Sequence, residues 1–61
     1  MAYVLMYRMR DTEPWRWATT TRSASLAMLE QTEQRRQLSR IIKVVKCYAD
    51  QARQVIEELS Q

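Results

Sequence analysis

"LSRIIKVVKCYADQARQVIEEL", residues 38–59, is the stretch whose reading decides the fold. Leu38, Ile42, Val45, Ala49, Ala52, Ile56 and Leu59 follow one another at spacings of four, three, four, three, four and three. That is the heptad seam of an α-helix packed on another helix. Ile41, Tyr48 and Val55 add a parallel row that widens the seam, and Ala49 with Ala52 would let a partner helix approach closely at mid-length. The chain has no glycine and its one proline, Pro14, lies far upstream. Nothing suited to a left-handed cap therefore ends a helix here before the C-terminus.

Upstream, "QTEQRRQ" (residues 31–37) is wholly polar, but Gln, Glu and Arg are good helix formers and the helix is expected to run through it. A break near residues 31–37, folding the chain into a helical hairpin, is the alternative. "TTTRSAS" supplies the N-cap, with Ser23 or Ser25 able to accept from the free amides of the first turn. The reading is one long helix over residues 23–61.

Before it, "YVLMYRM" (residues 3–9) and "WRWATTT" (residues 15–21) carry the β-branched, aromatic and threonine content of strands, and the polar "RDTEP" between them suits a loop. Residues 1–22 thus read as a two-stranded antiparallel β-hairpin. Alternation puts Tyr3, Leu5, Tyr7 and Met9 on one face of the first strand, with Val4, Met6, Arg8 and Arg10 on the other. In the second, Trp15, Trp17, Thr19 and Thr21 share a face. With the aromatic faces together, Tyr and Trp form the floor for the helix.

Length turns this into an expectation about assembly. A helix of that extent is roughly 55 Å long and a seven-residue strand reaches only about 23 Å. The seam beyond Leu38 would be bare in a monomer, and a bare seam is a binding surface. A homodimer through Leu38, Ile42, Val45, Ala49, Ala52, Ile56 and Leu59 covers it. The expected architecture is α+β in a single domain, residues 1–61.

Composition excludes more than it selects. There is no histidine, so the commonest general base is missing, and no Cys/His set for zinc. Without glycine a phosphate-cradling loop is excluded in its usual form. The lone Cys47 reads as filler, and an unpaired thiol in so small a chain fits the reducing cytoplasm. Lys46, Asp50, Arg53 and Glu57 alternate in sign at helical spacing, the pattern of an exposed face. "MAYVLMYRMR" is too short an apolar run for a spanning helix and lacks the basic start of a signal peptide. The expectation is a non-enzymatic protein with no cofactor, metal, membrane or small-molecule substrate.

Two features point to a macromolecular partner. Ten Lys+Arg against seven Asp+Glu leave a formal charge of +3, and residues 35–46 hold Arg35, Arg36, Arg40, Lys43 and Lys46 with no acid. On the expected helix Arg36, Arg40 and Lys43 form a basic ridge opposite the seam, open to an acidic protein surface or to phosphates. The hairpin loop adds Trp15 and Arg16, residue types enriched at binding hot spots. The expected activity is occupation of a partner protein's surface by a dimeric inhibitor or adaptor, a format that suits phage or plasmid accessory proteins. A small basic nucleic-acid-binding regulator is the alternative. "LSRIIKVVKCY" resembles the second helix of ribbon-helix-helix repressors over eleven residues, but "EPWRWATTT" reads as a strand where that family places its first helix, so no family is assigned.

Overall fold

A computed structural model describes every residue from Met1 to Gln61. It is α+β, but it is not a hairpin followed by one helix. In chain order it has strand β1 (Ala2–Arg8), strand β2 (Arg16–Thr21), helix α1 (Ala24–Leu38), strand β3 (Ile41–Cys47), a short 3-10 turn (Ala49–Gln51) and helix α2 (Ala52–Leu59). The strands form one antiparallel sheet in the order β2-β1-β3, with β1 in the centre. Both neighbours run opposite to β1, so β2 and β3 point the same way and α1 is the crossover between them.

The central strand explains the layering. Val4, Leu5 and Met6 are successive residues, so they point to opposite faces, yet all three are fully buried. A strand buried on both faces needs a continuous apolar run, and "AYVLMY" supplies it. On one face Leu5 packs with Ala27 of α1 and Ile42 of β3, flanked by Tyr3, Tyr7, Ala18 and Val44. On the other, Ala2, Val4, Met6 and Cys47 are covered by Ala52, Val55, Ile56 and Leu59 of α2, with Trp15 beside them. One helix thus lies on each side of the sheet.

The continuous helix expected from residue 23 to 61 fails at one residue. "QTEQRRQ" is helical, and Ser23 is the N-cap, its hydroxyl accepting from the Leu26 amide. Ser39 then takes φ 53 and ψ 37, the left-handed conformation that normally selects glycine. The amides of Ser39 and Arg40 both turn back to the Gln34 carbonyl, the second at 3.4 Å. The alternative, a break near residues 31–37, is met in position, since the helix ends at Leu38 just after that run, but a strand follows it and not the second helix of a helical hairpin.

The heptad seam is consequently no seam. Leu38 ends α1 half-exposed, Ile42 and Val45 lie on β3, and Ala49 sits in the 3-10 turn. Only Ala52, Ile56 and Leu59 share a helix face, together with Val55, and that face covers the chain's own sheet. The helix-mediated dimer loses the continuous seam it was argued from: Ile42 is buried and Ala52, Ile56 and Leu59 pack on the chain's own sheet, while Leu38 and Ile41 stay exposed. The likeness of residues 38–48 to a repressor helix falls with the helix.

The hairpin formed as expected, with one correction. β2 pairs with β1 as Tyr3↔Thr21, Val4↔Thr20 and Leu5↔Thr19, then Met6↔Trp17, so Ala18 is an extra residue in a β-bulge. A one-residue insertion swaps the faces of everything beyond it. Trp17 therefore sits beside Met6 on the α2 face, with Thr19 and Thr21 on the α1 face. The tyrosines of β1 and the tryptophans do not share a floor. Trp15 packs on the Val4–Met6 side and Tyr3 with Tyr7 on the other.

Helix α1 inverts the usual amphipathic pattern. Its only buried residue is Ala27, while Leu26, Met28 (70% exposed) and Leu29 (58% exposed) face outward. The small alanine lets the helix lie close on Leu5. No helix of the protein is long and apolar enough to cross a membrane.

Candidate binding site at the basic end of the sheet

The end of β1 and the starts of β2 and β3 meet at one edge of the sheet, with Tyr7 opposite Arg16 and Arg8 opposite Ile41. That register brings Arg8, Arg16 and Arg40 onto one cleft of about 280 Å³. Tyr7, Met9 and Pro14 form its less polar walls, and Glu13 is the one acid in its lining.

Two of these arginines are fixed by stacking. The Arg8 guanidinium lies 4.2 Å from the Trp15 ring centroid and that of Arg40 lies 3.8 Å from the Tyr7 ring. Lys43 approaches the Trp15 ring at 5.8 Å, close to the limit of a useful cation–π contact. Arg40 also donates from Nη1 to Gln34 Oε1 at 3.1 Å, which ties it to the helix whose end it follows. A planar cation stacked on a ring keeps its N–H groups pointing outward in plane, so the rings position the guanidiniums without consuming their donors.

The site is short of acceptors. The chain's one ion pair is Arg53–Glu57 at 3.7 Å on α2, with both side chains exposed (93% and 69%). None of Arg8, Arg16 or Arg40 has a carboxylate within ion-pairing distance. Arg8 Nε and Glu13 Oε1 are both shielded from solvent, and neither has a hydrogen-bond partner. Burial of such a group without a partner costs about 1–3 kcal/mol.

The partner-binding residues expected from sequence are redistributed. Arg36, Arg40 and Lys43 do not form a helical ridge: Arg36 lies on α1, Arg40 in the turn after it and Lys43 on β3. Arg40 and Arg16 line the cleft together, whereas Lys43 approaches Trp15 on the α2 face of the sheet and neither of those two lines it. Arg8 was not among the expected contacts. Its sign in the sequence is that it closes an apolar strand in "AYVLMYR" just across the loop from a tryptophan. Cys47, read as filler on a helix, is the buried last residue of β3.

The geometry contains donors, flat cations and shallow walls. Such a set can hold an anion. No protein-family model, curated protein or solved structure matches the chain.

Proposed function

We propose that this protein is a non-catalytic binding module that seats the basic end of its sheet on an acidic surface of another protein, and acts by occupying that surface as an inhibitor or adaptor. One observation carries the reading: cationic side chains from two strands and a turn line one cleft there and have no ion-pair partner within the chain. Water can satisfy an exposed guanidinium, so what supports the reading is that three of them gather on one cleft lined by a single acid. The absence of histidine and the burial of the lone thiol support a role without catalysis. The unpaired thiol also supports a reducing, cytoplasmic setting.

Protein is favoured over nucleic acid by the same stacks. Single strands are held by bases stacking on open aromatic faces. Here Arg8 and Lys43 lie over Trp15, and Arg40 covers Tyr7. Trp17 is 52% exposed, but it lies on β2 with its indole N–H bonded to Thr20 Oγ1 at 2.9 Å, outside the cleft lining.

The test is capture from lysate with wild-type protein and with an Arg16→Glu/Lys43→Glu variant. Both side chains are exposed, so the fold should survive, as circular dichroism would verify. The expected result is a stoichiometric protein retained by the wild type and lost with the variant. Capture unaffected by the reversal would refute the assignment of the basic end, and retention of nucleic acid with a steep salt dependence would favour the nucleic-acid reading.

A further inference from the structure

We infer that the cleft is an anchor for a single carboxylate side chain, Asp or Glu, presented by the partner and gripped by the edges of Arg8, Arg16 and Arg40. The inference rests on the reading of the partner as an acidic protein. Size is the first support: about 280 Å³ lies at or below the ~300–1,000 Å³ of small-molecule pockets, but accommodates one side chain. The walls supplied by Met9, Pro14 and Tyr7 suit the methylene stem of such a residue.

Preorganisation is the second. With Arg8 held on Trp15 and Arg40 on Tyr7, the guanidinium planes are set before any ligand arrives, which lowers the entropy lost on binding. Arg40 commits one N–H to Gln34, and none of the three guanidiniums has a carboxylate partner within the chain. A carboxylate accepts two parallel N–H groups along a guanidinium edge, so its chemistry complements them.

Charge draws an anion to the cleft, since three guanidiniums stand against Glu13 alone in the lining, a net +2. The choice of a carboxylate over free phosphate follows from the partner being a protein.

The experiment follows the amide and arginine Nε–H signals of the full, nitrogen-15-labelled chain during titration with the blocked peptide Ac-Glu-Glu-Glu-Glu-NH2, its all-Gln counterpart and inorganic phosphate. The Glu peptide should shift the Arg8 and Arg40 Nε–H signals and the Glu13 amide saturably, while the Gln peptide leaves them unmoved. Arg16→Gln, an exposed substitution, should weaken the Glu peptide at least about tenfold, as the loss of a charge-assisted hydrogen bond does. If the peptide shifts signals only outside the cleft, the anchor is refuted and the acidic-partner reading stands. If nothing shifts, both fall. Tighter saturation of the wild-type cleft by phosphate than by the Glu peptide overturns the carboxylate assignment.

Discussion

Replacing Ser39 by glycine distinguishes two folds by the sign of its effect on stability. In the structure Ser39 has φ 53 and ψ 37, the only positive φ in the chain. A residue with a Cβ loses about 1–2 kcal/mol in that region, because the Cβ crowds the following carbonyl. Glycine removes this cost but gives the unfolded chain more freedom, which takes back about 0.5–1 kcal/mol. The net expectation is a gain of about 0.5–1 kcal/mol. For a domain of this size that raises Tm by about 2–8 °C. Had residues 23–61 been one helix, glycine at position 39 would sit in its interior and cost about 1 kcal/mol. Urea unfolding followed by tryptophan fluorescence gives the answer, read from the midpoint with the slope unchanged. Ser39→Val serves as the control and should cost about 1–2 kcal/mol, since a β-branched side chain fits the left-handed region worst. A destabilised Ser39→Gly protein would refute the strand at residues 41–47 along with the cap.

Other outcomes follow from burial. Leu5→Ala, in the fully buried centre, should cost about 2–5 kcal/mol. A chain this short has only about 3–9 kcal/mol in total, so the variant should be largely unfolded by circular dichroism. Leu29→Ala, on the outer side of α1, should stay within about 0.5 kcal/mol of wild type in the same assay. Ile56 packs on the chain's own sheet, so Ile56→Arg should abolish the fold at every protein concentration; a folded protein with altered oligomeric state would show that α2 has another partner. For the same reason wild-type Tm should be constant over a roughly hundredfold dilution, because association of the folded state would link stability to concentration.

What could be read locally was read from residues whose physics is local. The apolar run Tyr3–Met6, the turn-forming loop, the Ser23 cap and the helical propensity of "QTEQRRQ" each depend on near neighbours, and each appears in the fold. So does the shared face of Ala52, Ile56 and Leu59, though the sheet rather than a second helix covers it. Residues 41–47 satisfied a heptad while carrying Ile41, Ile42, Val44 and Val45, a β-branched density that suits a strand. Periodicity over so few residues does not separate the two. The deciding term is nonlocal: β1 offers a free backbone edge and two apolar faces, and a hairpin with one helix can cover only one of them. β3 pairs with that edge from Ala2↔Cys47 to Arg8↔Ile41, and α2 then closes the second face. Ser39 makes this possible by accepting a conformation no propensity favours. The candidate site divides in the same way. Arginine and tryptophan suggested a surface by their chemistry, but strand register and the turn at Ser39 put Arg8, Arg16 and Arg40 around one cleft, because they set which residues from distant parts of the chain end side by side.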